Sequence, residues 1–259
     1  MDAAALVAVG VAVGILIGVT GSSGVALTVP ALSYMGYTYQ QSVGASLLVD
    51  LIASASALLI YIRAGDVDWR YALVLGAGAA AGAQLGSHLA VRSPERPLEV
   101  LFAASSLYFA YTSIRNSASN IDRGLLPPVR RFFASIGPRA RRAVIALSSI
   151  AIGVMSGLVG ASGGIMFAVA ISSMSDMPIR KVVGTAMAAM ALSALSGALA
   201  YIYLGVTDVV AAIVVGTSAL LGGYVAARLA HRISQRHIYT ALAVLFAAVA
   251  VLELAKAIS

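Results

Sequence analysis

Long apolar stretches alternate with short polar ones along this chain, and Arg, Asp, Pro and Gly cluster between the apolar stretches. Ten apolar segments can be recognised, at about 3–20, 24–36, 42–62, 71–91, 98–114, 143–159, 163–175, 182–203, 209–230 and 238–256. Most of them approach the roughly 20 residues that a helix needs to cross a hydrocarbon core about 30 Å thick. The pattern therefore predicts an all-α protein that crosses a membrane several times, and not a chain folded around one buried core.

The two halves of the chain repeat one another. An offset of 140 residues places YIRAGDVD at 61–68 on YIYLGVTD at 201–208, and an offset of 139 pairs the Gly-rich stretch at 18–24 with the one at 157–163. Shared apolar composition does not explain Gly, Asp and Arg that keep their register across a whole half. The predicted domains are a first transmembrane repeat at 1–114, a basic linker at 115–142 and a second transmembrane repeat at 143–259.

The positions of the cations predict how the repeats are oriented. Cytoplasmic loops carry an excess of Lys and Arg, so we place the Arg-rich linker in the cytoplasm. An odd number of crossings in each half brings most other cations to the same side, namely Arg63, Arg70, Arg180, Lys181 and the cluster at 228–236. Only Arg92 and Arg96 then face outside. An odd number inverts the second repeat relative to the first, which is a common build for secondary transporters.

The second segment of each half is too short to cross comfortably and follows a Gly- and Ser-rich break, GVTGSSGVALTVP at 18–30 and GLVGASGGIMFAVA at 157–170. Irregular backbone at membrane depth persists only where protein buries it or where it lines a cavity. A helix that begins there directs unpaired N–H groups and the positive end of its dipole at that cavity. Two such breaks in inverted halves predict a pocket for a small anion. The alternative is that Gly, Ala and Ser here only allow helices to pack closely.

Single residues add two further predictions. Asp50 is the only acid well inside an apolar segment, and a buried carboxylate in a membrane is a functional candidate by default. It is a candidate for proton coupling, and the alternative is that it hydrogen-bonds a Ser or a backbone amide and fixes packing. Asp68 and Asp208 each follow a Gly at the start of a span, where they are expected to cap the next helix.

Composition excludes several other classes of site. The 259 residues are 60% hydrophobic, 10% charged and free of cysteine, so disulfides and thiol chemistry are excluded. No metal site or cofactor is expected, because the three histidines, His88, His231 and His237, lie apart at segment ends. The net charge of +7 comes largely from the linker, where lipid headgroups explain it better than nucleic acid does. Since Asp2 precedes the first segment and no cation does, that segment is expected to be a mature span and not a signal peptide.

Five motifs in order resemble the sulfite exporter (TauE/SafE) family of membrane permeases. They are GSSGVALTVPALSYMGY at 21–37, SVGASLLVD at 42–50, YIRAGDVDWR at 61–70, GASGG at 160–164 and VVGTAM at 182–187. The resemblance covers nearly the whole chain. It implies a multi-pass permease of the cell membrane that moves small sulfur-containing anions such as sulfite, thiosulfate or organosulfonates, driven by an ion gradient. Ala45 departs from the family pattern, which often has Thr there, whereas Thr185 keeps it in the second half.

The combined prediction is a secondary transporter and not an enzyme, with a small anion and the lipid bilayer as its partners. The residues expected to contact the substrate are Gly21, Ser22, Ser23, Gly24, Ser46, Ser162, Gly163, Gly164 and Thr185. The alternatives are a carrier for another small anion or metabolite, a membrane scaffold, or an intramembrane serine protease, since GASGG also resembles the rhomboid serine motif. That last chemistry needs a general base beside the Ser, and no His lies inside an apolar segment. The exact substrate, the direction of transport and the oligomeric state stay open.

Overall fold

The computed structural model describes residues 3–20, 23–118, 137–175, 177–230 and 235–258, so Gly21 and Ser22 of the predicted site lie outside the described residues. Within these ranges every element is helical. The ten helices are α1 (Ala3–Thr20), α2 (Val25–Tyr34), α3 (Tyr39–Arg63), α4 (Trp69–Arg92), α5 (Glu95–Ala118), α6 (Pro138–Val159), α7 (Gly164–Met174), α8 (Ile179–Tyr203), α9 (Val209–Ala230) and α10 (Gln235–Ile258). Each corresponds to one predicted apolar segment, which confirms the all-α architecture.

The surface of the helices is that of a membrane protein. Three of the described helices contain a stretch long and apolar enough to cross a bilayer by length and composition, namely Tyr39–Arg63, Arg180–Tyr203 and Val209–Ala226. Large apolar side chains also point outward on helices that pack against others, such as Leu89, Leu147 and Leu221, which are 55%, 67% and 68% exposed. Many exposed apolar side chains of this size are costly in water, whereas lipid matches them. The described helices thus form a polytopic membrane protein.

Polar residues at the helix ends account for helices that are longer than the apolar segments. Thr38 caps α3 through a capping box, in which its hydroxyl accepts from the Gln41 N–H and the Gln41 side chain accepts from the Thr38 N–H. Asp68 accepts from the Arg70 N–H at 3.1 Å, and Asp208 accepts from the Ala211 N–H at 3.0 Å. Both predicted aspartate caps are confirmed. The first turns of these helices are therefore polar and lie outside the apolar windows.

The linker predicted at 115–142 is partly helical. Helix α5 continues to Ala118, and α6 begins at Pro138 with the proline in its first turn. Proline is favoured there because its missing N–H would have no partner within the helix. Residues 119–136 lie outside the described part of the chain, so the function and side of the linker stay predictions.

Helices α3 and α8 cross in opposite directions at the centre of the molecule. Gly44, near the start of α3, lies against Tyr201 near the end of α8, and Gly184, near the start of α8, lies against Tyr61 near the end of α3. Helix α9 runs parallel to α3, because Gly216 lies against Ile52 further along both helices. Helix α4 correspondingly runs parallel to α8, where Gly76 and Ala83 face Leu192 and Gly197.

The first helix of each half packs lengthwise on the fourth helix of the other half. Helix α1 lies along α9, and α6 lies along α4. Both pairs are parallel: Gly10 and Gly14 meet Val215 and Ala219 in that order, and Gly153 and Gly157 meet Ala79 and Ala83. Every helix of the second half named here therefore runs opposite to its counterpart in the first, which is the inverted arrangement predicted from the arginines.

Candidate functional site

The carboxylate of Asp50 lies at the middle of α3 and is held by groups from both Gly-rich breaks. Its Oδ1 accepts from the Gly24 N–H at 2.8 Å, and its Oδ2 accepts from the Ser162 hydroxyl at 2.6 Å. The Ser23 hydroxyl donates to the same Oδ2 in a short hydrogen bond. Asp50 is 1% exposed and Ser162 is completely buried. Three donors from two distant parts of the sequence thus converge on one oxyanion.

Each break contains described residues outside the helices, Ser23 and Gly24 before α2 and residues 160–163 between α6 and α7, and these carry the donors inward. Gly24 precedes α2 as its N-cap, so its N–H is free to bond a carboxylate. On the other side, Gly160 ends α6 with a φ of 79° and Gly163 precedes α7 with a φ of 85°. Both angles lie in the left-handed region that glycine adopts without a steric penalty. The chain therefore reverses between α6 and α7 inside the molecule and presents Ser162 to Asp50.

The two short helices differ in what faces their first turn. Asp50 faces the start of α2, whereas the start of α7 meets Met190, the residue that corresponds to Asp50 in the second half. A Cβ added to Gly164 would lie 2.9 Å from the Met190 Sδ. The first N–H groups of a helix have no partner within it. Asp50 thus bonds the N-cap of α2 directly, whereas at the other break it bonds Ser162, two residues before α7 begins.

A small cavity lies between the two helix starts. Its volume is about 20 Å³, and its walls are Ser23, Val25, Phe109, Ala161, Gly163, Gly164, Met166 and Phe246. A volume of this size holds roughly one water molecule. The rings of Phe109 on α5 and Phe246 on α10 lie 5.4 Å apart and close one side. A guest larger than a water molecule therefore requires these walls to separate.

The structure brings together most, but not all, of the residues predicted to contact the substrate. Ser23, Gly24 and Ser162 bond Asp50, and Gly163 and Gly164 line the cavity. Ser46 is buried one turn before Asp50, where its hydroxyl donates to the Gly160 carbonyl at 3.4 Å.

Thr185 lies away from this cluster, near the start of α8. Its hydroxyl donates to the Lys181 carbonyl at 2.6 Å and accepts from the Asp68 N–H at 2.9 Å. The first bond lies within α8, and the second joins the start of α8 to the start of α4, close to the Lys181–Asp68 ion pair. The geometry therefore gives Thr185 a structural contact between two helix ends and no contact with the Asp50 cluster.

Sequence reasoning missed the apolar part of the site. Phe109, Met166 and Phe246 line the cavity, and Met190 faces the start of α7. In a chain this apolar, nothing marks these side chains as different from the many that face lipid. Only the repeat alignment offered a signal, because it pairs Met190 with Asp50.

Comparison with known proteins identifies the family of the chain. A family model described as "Sulfite exporter TauE/SafE" matches residues 6–252. The chain belongs to the TauE/SafE family. The match extends from α1 to α10 and includes both breaks, so the resemblance drawn from the five sequence motifs is confirmed.

Among the curated proteins, two relatives resemble the chain over most of its length and a third over part of it. "Probable membrane transporter protein YunE" of Bacillus subtilis (strain 168) is 24% identical over 246 residues, which cover 90% of each chain. "Probable membrane transporter protein YdhB" of the same organism is 26% identical and covers 83% of this chain and 85% of its own. "Probable membrane transporter protein ORF9" of Sinorhizobium sp. is 35% identical over 100 residues, or 37% of this chain and 38% of its own. No solved structure matches the chain.

Family membership and these relatives identify a multi-pass membrane transporter. The described contacts of Ser162 agree with a role other than that of a protease nucleophile. Its hydroxyl bonds Asp50, whereas His88, in the described part of the chain, bonds the Gln84 carbonyl at 2.8 Å.

Proposed function

We propose that this TauE/SafE transporter carries a small sulfur-containing anion, such as sulfite, thiosulfate or an organosulfonate, and that an ion gradient drives it. The observation that carries the proposal is the convergence of the Ser23 hydroxyl, the Ser162 hydroxyl and the Gly24 N–H on a buried carboxylate. A carboxylate is itself an oxyanion, so the site already binds the chemical group that we propose it transports. Hydrogen bonds to charged acceptors are also stronger than those to neutral ones.

The cavity beside Asp50 is the proposed position of the substrate. It adjoins the start of α7, whose Gly163 and Gly164 line its wall. The dipole of α7 favours a negative guest at that end. Ser23 lines the same cavity while bonding Asp50, so its hydroxyl can pass from the internal carboxylate to the substrate by rotation.

Asp50 then sets when the anion binds. An ionised Asp50 occupies the two hydroxyls and repels a second anion a few ångströms away. A protonated Asp50 is neutral and leaves the hydroxyls free to donate to the substrate. Proton binding and anion binding therefore favour each other, and linkage makes the effect reciprocal. The proposed result is cotransport of the anion with a proton at this centre.

We propose that the cavity widens when α5 and α10 move. These two helices pack chiefly against each other and touch the other described helices much less. Each contributes one ring of the Phe109–Phe246 pair that covers the cavity. Displacement of the pair enlarges the cavity without disturbing the central helices α3 and α8.

Transport by purified protein in proteoliposomes tests the substrate class. Sulfite, thiosulfate, sulfate and short sulfonates are each loaded on one side, with and without a pH gradient that is acidic on the anion side. We expect movement of at least one sulfur anion, with faster uptake when the gradient is present. If none of them moves faster than in protein-free vesicles, the proposed substrate class is wrong.

Replacing Ser162 with alanine is expected to weaken anion binding. The lost hydroxyl donates to a charged acceptor, and such bonds contribute roughly 1.5–3 kcal/mol, or about 10- to 150-fold in affinity. In the parent protein the loss is partly offset, because the same bond stabilises the competing Asp50. The full effect is therefore expected in an Asp50→Asn background, measured as the Kd of the transported anion by calorimetry.

Ser54 provides the matched control for Ser162. It lies one turn after Asp50 on α3, and its hydroxyl donates to the Leu51 carbonyl of its own helix at 3.3 Å. Ser54→Ala should leave the affinity within about twofold, since it removes no donor from the cluster. Equal effects of the two substitutions would show that Ser162 acts through general packing and not through the anion.

Access to the site distinguishes a transporter from a membrane scaffold. Because the chain has no cysteine, Ser23→Cys and Ser162→Cys each create a single thiol. In a transporter the rate at which a water-soluble reagent labels these thiols should change when the transported anion is added. Thiols that resist reagents from both sides regardless of any anion would favour the scaffold.

A further inference from the structure

A second group of polar side chains includes two buried carboxyls other than Asp50. It comprises Glu99 on α5, Glu253 and Lys256 on α10, and Ser33 at the end of α2. Glu253 and Glu99 are 1% and 4% exposed, so both carboxyls are buried although they lie near helix ends. Charges buried in this way are costly and mark functional sites by default. The sequence argument overlooked both residues because only Asp50 lies well inside an apolar segment.

The lysine of this group is already paired. Lys256 Nζ lies 2.6 Å from Glu99 Oε1 and donates to the Ser33 hydroxyl oxygen at 2.6 Å. Its side chain is 35% exposed, whereas that of Glu99 is 5% exposed. The ammonium thus reaches the surface on one side and the buried carboxylate on the other.

Glu253 differs from Glu99 in lacking a partner. Within the part of the chain that the structure describes, neither of its carboxylate oxygens has a hydrogen bond. The described ionisable groups that face it are Lys256 on its own helix, Glu99 on α5 and Tyr39 on α3. When Glu253, Glu99 and Lys256 are all ionised, the group carries one more negative charge than positive charges. One added proton removes that charge.

The geometry points to a second proton-binding site, at Glu253, separate from the anion site. A proton fits the group better than a metal ion does, because the positive Lys256 is adjacent and the Ser33 oxygen is already engaged. When Glu253 is protonated, it does not compete for Lys256, which keeps its bonds to Glu99 and Ser33. Once the proton is lost, the second carboxylate competes for Lys256 at the expense of its bond to Ser33.

Helix α2 connects this proton site to the candidate anion site. It begins next to Gly24, which bonds Asp50, and nearly ends at Ser33, which bonds Lys256. The helix has 10 residues, a length of about 15 Å at 1.5 Å per residue. Protonation of Glu253 therefore acts on the far end of the helix whose start binds Asp50. This role in transport rests on the proposed function, whereas proton binding itself does not.

Infrared spectroscopy of the purified full-length protein tests for the proton directly. A protonated carboxylic acid shows a carbonyl-stretch band that an ionised carboxylate lacks. In an Asp50→Asn background, which removes the other buried carboxyl proposed to take up a proton, we expect such a band near neutral pH, its loss as the pH is raised, and its absence near neutral pH once Glu253→Gln is added. The control is Glu95→Gln, which alters a partly exposed carboxyl at the start of α5 and should keep the band.

A second variant tests the cause of proton binding and does not depend on Glu253→Gln folding correctly. Glu99→Gln removes the carboxylate that faces Glu253 and frees Lys256 to pair with it. Loss of the band should then shift to lower pH by about one to three units. Bands that are identical in the parent protein, Glu253→Gln and Glu99→Gln would overturn the proposal. So would an ionised Glu253 whose carboxylate signal responds to added sodium, since the ligand would then be a metal ion.

The spectra separate this inference from the proposed function. A band assigned to Glu253 in a protein that moves no sulfur anion would uphold the proton site and reject the substrate. If the protein transports a sulfur anion but its spectra show no proton on Glu253, the substrate would be upheld and the proton site rejected.

Discussion

Asp50→Asn is expected to abolish uphill accumulation of the transported anion while preserving its downhill exchange. Asparagine keeps the shape of the side chain and one oxygen acceptor, so either the bond from Gly24 or the bonds from the two serines can persist. It carries no charge and takes up no proton. Anion binding then loses the part of its pH dependence that the titration of Asp50 causes, because the competing carboxylate is gone at every pH. The measurement is anion uptake into proteoliposomes under an imposed pH gradient, compared with exchange at equal pH on both sides.

The size of the effect follows from the coupling. If one proton accompanies each anion, a gradient of one pH unit supports about tenfold accumulation, worth roughly 1.4 kcal/mol. The variant should show none. An Asp50→Asn protein that accumulates the anion as strongly as the parent would eliminate the coupling role and leave Asp50 as a packing residue. Loss of exchange as well as accumulation would instead mean that the carboxyl is needed to bind or admit the anion.

The sequence predicted the fold well because the membrane imposes a strict pattern. All ten helices match apolar segments. Where a helix is longer than its predicted segment, as at residues 39–41 of α3, the additional residues are polar and lie at a capped helix start. The direction of the helices followed from the arginines. Parallel packing of α1 on α9 and of α6 on α4 is a tertiary property, which no local pattern encodes.

Only the part of the candidate site that the Gly-rich breaks form could be predicted from the sequence. Gly-rich breaks before short segments indicated Ser23, Gly24, Ser162 and Gly163 because few other structures tolerate irregular backbone at that depth. Hydrogen bonds from a Ser or a backbone amide to Asp50 were among the alternatives, but the sequence did not identify the donors, since Ser162 is 112 residues away. Thr185 was assigned to the site from its place in a motif, and its contacts instead join two helix starts.

Close packing of helices at glycines underlies the second large effect that we expect. Gly153 on α6 and Gly14 on α1 occupy equivalent places in the two parallel helix pairs. A Cβ on Gly153 would lie 2.1 Å from the Ala79 carbonyl oxygen, and one on Gly14 would lie 2.1 Å from that of Ala219. Because the obstacle is backbone, no side-chain rotation relieves it. Gly153→Leu and Gly14→Leu must therefore push whole helices apart, and we expect each to lower the free energy of unfolding by about 3 kcal/mol or more.

Ala151→Leu is the matched control, since it adds a large side chain to α6 two residues before Gly153, on the exposed surface. We expect its yield and apparent melting temperature in detergent to equal those of the parent, whereas Gly153→Leu and Gly14→Leu should elute mostly as aggregate. The comparison also tests the inverted arrangement, which makes the two glycines equivalent. If Gly14→Leu were tolerated while Gly153→Leu was not, α1 would pack less tightly on α9 than α6 does on α4. The anion site would then rest on one rigid pair and one loose pair, and the break that follows α1, at Ser23, would be the more mobile side of the cavity.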